Sequence, residues 1–351
     1  MKTLMISTDT KIFEPGSAVR ERMIERARSL EELHIIVFSK ENFKIQISNF
    51  KSNPKSKCQN EIVISSNCWV YPTRSLLKML NPLSATRLGR FIIERRKITD
   101  ITCQDPFLTA MAAISLKKQF NIPLEIQIHT DIGSPNYTKA FTNRIRKVLA
   151  LSYLPKADSI RVVSNRIKAY LVDSLKIDQT KIEVRPIQID VQWIKNAPVI
   201  ESADLHKRYQ QFERIILMAS RLEKEKNIAL AIRAFSEVIK KLPKTALIIV
   251  GEGSEARYLR SCALRLAPRN VFFESWADKD VLASYYKTTD LFLVTSLFEG
   301  YGMTLVEAQA AGCKIVSTDV GVAKEVGAII VKDDAVELAE TLVNVLSMKA
   351  S

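Results

Sequence analysis

The chain has 351 residues, 47% of them hydrophobic, which suits two cores of ordinary domain size better than one. Its net charge of +14 lies in residues 1–200, which hold 32 Lys+Arg against 18 Asp+Glu, while the remaining 20 basic and 20 acidic residues cancel. No apolar run is long enough to span a bilayer. Cys58, Cys68, Cys103, Cys262 and Cys313 are odd in number with no C-x-x-C pair, and His34, His129 and His206 lack ligand spacing, which argues against a disulfide framework and a metal site.

The chain opens on a strand, Thr3–Ser7, with no leader ahead of it, so a cytoplasmic protein is expected. Pro15-Gly16-Ser17 then leads into a helix predicted over Val19–Leu33. A helix start after a glycine presents free N–H groups to a phosphate, although a plain helix start explains the same residues. From Arg74 to Lys97, Arg74, Lys78, Arg87, Arg90, Arg95, Arg96 and Lys97 face a single acid, Glu94, and alternate with leucines and isoleucines. Asn81-Pro82 is predicted to break this stretch into two short basic amphipathic pieces, suited either to an anionic membrane or to an ordinary solvated face over core. Nucleic acid is not expected, because no recognised binding module accompanies the charge.

Leu124 to Asp131 reads as a strand that delivers His129 and Asp131 to the carboxyl edge, where open α/β sheets bind ligands. Two further strands follow, at 157–164 and 181–186. Pro186 and Pro198 interrupt the strand-helix pattern, giving domains over 1–192 and 200–351.

In the second half, strand Arg214–Ser220 is followed by the basic loop Arg221 to Lys226 and a helix from Asn227 to Leu242. Strand Thr245–Val250 leads into Gly251-Glu252-Gly253-Ser254-Glu255-Ala256, and strand Val271–Phe273 ends at Glu274. Strand Leu291–Val294 precedes Glu299-Gly300-Tyr301-Gly302-Met303-Thr304, and a helix runs from Met303 to Ala311 with Glu307 on it. The free N–H groups of that helix start suit a diphosphate, whereas Glu299 and Glu307 suit the hydroxyls of sugar and ribose. A capped turn with two solvated acids is the plainer alternative.

Glu299 and Glu307 in E-x7-E spacing, with Arg221, Lys226 and Gly251-Glu252-Gly253 upstream in order, resemble the retaining GT-B glycosyltransferases of family 4, also called glycosyl transferases group 1. The resemblance runs from about Arg214 to Val326. It implies an α/β fold of two Rossmann-like domains whose parallel sheets face each other across a cleft, the first on the acceptor side and the second holding a nucleotide-diphosphate sugar. Catalytic roles would fall to Arg221 and Lys226 on the leaving diphosphate, Glu299 on sugar hydroxyls and His129 in the sugar pocket, with no metal or other cofactor. Donor binding would fall to Gly16, Gly251, Gly253, Gly300, Tyr301, Gly302, Met303, Thr304 and Glu307.

The pattern also departs from the family: Ser275 replaces a usual Gly, Cys313-Lys314 replaces a residue-Pro pair, and Ile187-Gln188 replaces Asn-Gly in the linker. Family members usually continue past a final helix like the one predicted from Asp334 to Met348, so looser domain closure, or closure by another subunit, is expected. The implied partners are a nucleotide-sugar donor, a glycan or lipid-linked acceptor, and an anionic membrane at whose inner face the basic half would sit. Two other functions stay open. Gly251 to Ala256 with Glu274 imitates the G-x-G-x-x-A fingerprint of an NAD(P)-dependent oxidoreductase, and a non-catalytic sugar-nucleotide or membrane-binding protein would carry the same charges.

Overall fold

The computed structural model describes residues 1–40 and 61–348, so Cys58 lies outside the described residues. Two compact units are present: Met1–Gly133 with Thr138–Arg185, and Ser134–Tyr137 with the chain from Pro186 onward. The division falls at Pro186, ahead of the helix Val191–Asn196, which packs on the helix Met303–Ala310 of the second unit.

In the first unit the strands are β1 (Lys2–Ser7), β2 (Glu32–Val37), β3 (Ile62–Ser65), β4 (Cys68–Pro72), β5 (Asp100–Cys103), β6 (Leu124–Ile128), β7 (Ser159–Val162) and β8 (Ile182–Val184). They lie in the order β3-β4-β2-β1-β5-β6-β7-β8, parallel except where β3 runs against β4. The second unit has β9 (Arg214–Ala219), β10 (Thr245–Val250), β11 (Val271–Glu274), β12 (Leu291–Val294), β13 (Ile315–Thr318) and β14 (Ile329–Val331), ordered β11-β10-β9-β12-β13-β14 and wholly parallel. Every residue of β10 and β12 is buried, as expected of strands covered on both faces. The helix Ile228–Lys241 shows the complementary period, burying Ile228, Ala231, Ile232, Phe235 and Val238 and ending in Lys240 and Lys241 at the negative end of its dipole.

Strand order reverses between β1 and β5 in one sheet and between β9 and β12 in the other. At such switch points adjacent loops diverge and leave a crevice at the carboxyl edge. The loops after β9 and β12 are those holding Arg221, Lys226 and Glu299.

Two element readings need correction. The first helix is Ala18–Arg28, not Val19–Leu33; Ser29 closes it, and Leu33 belongs to β2, where it is fully buried. Asn81-Pro82 does not split a helix but starts one, Asn81–Arg96, because proline in the first turn gives up only an N–H that had no helical partner. That helix turns Ala85, Gly89, Ile92 and Ile93 into the core. Three of its cations are engaged: Arg90 donates to Gln119, Arg95 lies over the Phe91 ring, and Arg96 pairs with Glu61 at 2.7 Å and lies over Trp69.

Candidate active site

In the second unit the loop after β9 folds back on the loop after β12. The backbone N–H of Leu297 donates to Glu225 O at 2.8 Å, and Thr295 Oγ1 donates to the carbonyls of Lys226 and Asn227. This clip brings Lys226 Nζ to 2.5 Å from Glu299 Oε1, which also accepts from Ser296 Oγ at 2.7 Å. The Lys226 and Glu299 side chains are only 14% and 17% exposed, so the pair is held in a site of reduced solvation. Arg221 is different: it pairs with Glu225 at 3.1 Å and is 66% exposed.

The helix Met303–Ala310 starts beside this pair. Its N-cap, Gly302, has φ 92° and no side chain caps the first turn, so the N–H groups at its start keep their capacity to bind an anion. By contrast, Asp278 and Asp334 cap the helices Lys279–Thr288 and Ala335–Ser347. Gly300 is buried, Tyr301 and Thr304 are half-buried, and Met303 is exposed at the helix start. One turn further on, Glu307 Oε2 accepts from the buried Tyr286 hydroxyl at 2.9 Å. Burial raises the Glu307 carboxyl above its usual range, and the Tyr286 bond opposes that shift. Burial pushes the Tyr286 hydroxyl well above its ordinary value, so it stays a donor.

Gly251 and Gly253 serve the architecture of the site. A Cβ on Gly251 (φ 135°) would lie 2.0 Å from Ser220 O, and one on Gly253 would lie 2.3 Å from Leu222 O. Their backbones lie directly against the loop after β9, joined by Leu222 N to Glu252 O at 2.8 Å and Glu255 N to Leu222 O at 2.9 Å. This geometry disfavours the dinucleotide fingerprint, whose glycines must leave room for a pyrophosphate. Glu274 is also committed: it accepts from Tyr209 Oη at 2.7 Å, Arg208 at 2.9 Å and Tyr285 Oη.

The sequence reading missed three supports. Gly321 (φ 51°) lets the loop after β13 meet Tyr301 O, which accepts from Val322 N at 2.9 Å. Thr318 Oγ1 donates to Ser296 O at 2.7 Å. The Ser134–Tyr137 segment reaches the same loop, with Asn136 Nδ2 donating to Leu297 O and Tyr137 edge-on to Phe298 at 5.3 Å. The glycine had a local signal; the other contacts span too much sequence to be read from it.

In the first unit, Gly16 has φ 74° and open space at its Cβ position, while Ser17 caps the helix through Arg20 N. His129 follows β6 and shares a face with Glu125 and Gln127. Gln127 donates to Thr102 Oγ1 at 2.9 Å and Glu125 Oε1 at 3.0 Å, so its carbonyl faces His129 Nε2 at 3.2 Å. The proton therefore belongs on Nε2, leaving Nδ1 as an acceptor. The residue as a whole is exposed, yet desolvation of the ring by surrounding protein and the Arg161 cation lower its pKa to about 4, so it is neutral at pH 7. Asp131 is buried and accepts from Gly133 N at 3.0 Å, a turn-forming role. Cys313 donates to Tyr286 O, and burial lifts its pKa to about 12. Cys68, Cys103, Cys262 and Cys313 are free thiols, and no group of three or more potential metal ligands occurs among the described residues.

Two doubly wound units with carboxyl-edge loops of this kind define the GT-B class. The family model for Glycosyl transferases group 1 matches residues 204–349 and that for Glycosyltransferase Family 4 matches residues 50–193; the chain belongs to this glycosyltransferase family. It is 26% identical over 237 residues to alpha-monoglucosyldiacylglycerol synthase of Streptococcus pneumoniae, covering 64% of this chain and 53% of that protein. To phosphatidyl-myo-inositol mannosyltransferase of Mycolicibacterium smegmatis it is 27% identical over 232 residues, covering 64% and 56%. The chain thus spans about half the length of the curated relatives it matches. In fold it is similar to sucrose-phosphate synthase of Thermosynechococcus elongatus, with TM-score 0.74, 18% identity and 99% and 90% of the two chains covered. An Escherichia coli trehalose-6-phosphate structure bound with UDP-2-fluoro glucose gives TM-score 0.74 at 16% identity, covering 99% and 92%.

Proposed function

We propose that the chain is a retaining, metal-independent hexosyltransferase that moves a sugar from a nucleotide-diphosphate donor to a glycan or lipid-linked acceptor. We place it at the cytoplasmic face of an anionic membrane. The observation that carries this reading is the Lys226–Glu299 pair, set at the β9/β12 switch point beside the uncapped start of the helix Met303–Ala310. The diphosphate would sit at that helix start with Lys226, and Arg221 would swing in from solvent. Glu299 would accept from sugar hydroxyls and Glu307 Oε1 from ribose. In the first unit, Nδ1 of His129 is an acceptor for a further hydroxyl.

As the bond from anomeric carbon to phosphate oxygen breaks, its electron pair passes to the diphosphate, where Lys226, Arg221 and the helix dipole stabilise the charge. The acceptor hydroxyl then attacks from the same face and gives its proton to the departing phosphate oxygen. Glu299, engaged by Lys226 and Ser296, is poorly placed to act as a nucleophile, and this supports front-face attack over a covalent intermediate. The names of the two relatives above, both with lipid acceptors, make a glycerolipid or phospholipid the first acceptor to try. An Anabaena structure of the same fold in complex with UDP and glucose makes UDP-glucose the first donor.

The test is thermal shift against UDP- and GDP-sugars and NADH, since a ligand of the folded state alone raises the melting temperature by mass action. A sugar nucleotide should stabilise the protein and NADH should not. Stabilisation by NADH alone would overturn the reading.

A further inference from the structure

We propose that three consecutive helix starts of the first unit form one rim that inserts into the headgroup layer of an anionic membrane. This rests on the membrane part of the proposed function and moves the docking surface from the body of the cationic helix Asn81–Arg96, whose apolar face is core, to the segment that leads into it and its first turn. The helices Asn81–Arg96, Leu108–Phe120 and Phe141–Tyr153 follow β4, β5 and β6, which run parallel within one sheet. A crossover helix starts at the carboxyl edge of the strand before it, and these three helices pack side by side, the second against both others.

Each start carries exposed apolar side chains, most strongly at the first and third. Leading into the first helix, Leu76 is 73% and Met79 85% exposed, and Leu83 follows in its first turn; Leu108 and Met111 are exposed on the second. On the third, Phe141 is 73% exposed, and Ile145 and Val148 continue its stripe at i+4 and i+7. That helix buries only Ala150. An exposed apolar surface rimmed by polar groups marks an interaction site.

The charge selects the partner. Arg74, Lys78 and Arg87 border the first strip, and no Asp or Glu occurs from Arg74 to Ile93. Lys139, Arg144, Arg146 and Lys147 border the third, with no acid from Ile132 to Ala157. Arg146 lies over the Phe107 ring at 5.8 Å, joining the second and third helix starts. At the first and third starts the exposed apolar side chains are thus bordered by cations without acids. At the second the one nearby acid, Asp105, is half-buried and accepts from the backbone N–H groups of Phe107 and Thr109. This matches an interface of acyl chains under anionic headgroups, where each side chain supplies transfer energy and each cation a smaller electrostatic increment. Because the rim lies on the carboxyl edge that also bears His129, a lipid acceptor would need to rise only a short way out of the bilayer.

The experiment is co-flotation of the whole chain with vesicles of phosphatidylglycerol and phosphatidylcholine in equal parts, against phosphatidylcholine alone. The wild type should float with the anionic vesicles only. Leu76→Ser with Met79→Ser, and separately Ile145→Ser with Val148→Ser, should each lower partition about 10-fold or more, as expected for lost transfer of two apolar side chains. Arg90→Gln, on the core-packed helix, should change it by less than about twofold. A Phe141→Trp variant should shift its emission to the blue with anionic vesicles alone.

Circular dichroism and melting confirm that each variant folds, and stabilisation by UDP-sugar without lipid should be the same in all. If the wild type floats and neither serine pair weakens it, the rim is wrong though membrane docking stands. If the wild type stays unbound at low salt, or the serine pairs instead dissolve a dimer seen by size exclusion, the rim is a protein contact or plain surface. The donor shift then decides the glycosyltransferase reading independently.

Discussion

The two units place their polar chemistry differently. In the second, β9 and β12 are apolar along their buried length and β10 is so after its first residue, Thr245, and the working residues stand on the loops at their ends, as Lys226 and Glu299 do. In the first, β6 itself carries Glu125 and Gln127 on the face that ends at His129, within reach of Thr102, Arg26 and Arg185 from neighbouring elements. Loops on an apolar scaffold change chemistry without disturbing the fold. A polar strand makes fold and chemistry interdependent, because each buried polar group must keep its partner. Substitutions in the second unit should therefore separate stability from turnover, except where loop backbones touch or a largely buried ion pair is broken.

Gly251 is such an exception and should show the largest effect. Gly251→Ala combines a positive φ with a Cβ placed 2.0 Å from a carbonyl oxygen that the backbone holds fixed. The expected loss is about 3 kcal/mol or more of stability, measured by urea denaturation. A loss confined to donor affinity, with stability intact, would mean the glycine serves the ligand rather than the loop.

Lys226→Ala should come next. Turnover of the folded protein should fall by about 10²-fold or more, the pattern of a lost transition-state donor, and the melting temperature should also drop, because Glu299 loses its cation at a largely buried position. Arg221→Ala should cost less, because Arg221 is solvated and must be recruited. Glu299→Gln sharpens the comparison: with its partner neutralised, Lys226 should bind UDP alone more tightly while sugar transfer falls. Equal turnover in the Lys226→Ala and wild-type proteins would reduce the pair to a structural ion pair.

A smaller change is expected from Tyr286→Phe. It removes the hydrogen bond that opposes the raised Glu307 pKa, so the carboxyl should rise further and the donor KM should worsen about fivefold, near the worth of one buried hydrogen bond. The loss should grow as pH falls. A pH-independent KM would show that Glu307 does not meet the ribose.

This contrast also explains what was legible in the sequence. Glu299, Gly300, Gly302 and Glu307 lie within nine consecutive residues, so a local pattern carries the turn, the helix start and the class of ligand. The pairing of Lys226 with Glu299 was not legible: the reading gave them separate roles, and only the clip between the loops after β9 and β12 brings them to 2.5 Å. Arg74 to Lys97 misled for a related reason. Its composition is that of an amphipathic surface helix, but which apolar residues are covered depends on the sheet beneath, and Ile92 and Ile93 are buried while Leu76 and Met79 are not. The Phe141 helix passed unnoticed because an exposed apolar stripe and a core-facing one have the same period.

The least effect, and the one peculiar to the first unit, is a pH dependence from His129. Its pKa in the folded state is about 4, below the ordinary 6.5, so between these values the unfolded chain binds the extra proton and the folded chain does not. Stability from this group is thus fully present above pH 6.5 and is lost progressively as pH falls towards 4. His34, buried against Tyr71 and Glu32 with its pKa also lowered, adds a slope of the same sign. The two are separated by substitution: His129→Gln should flatten the fall in melting temperature between pH 6.5 and 4 relative to the wild type, and leave the part due to His34. Because His129 as a residue is exposed to solvent, the flattening should be modest. An unchanged profile would mean that His129 titrates in the folded chain as it does in the unfolded one, near 6.5, so that its surroundings do not hold it neutral below that pH.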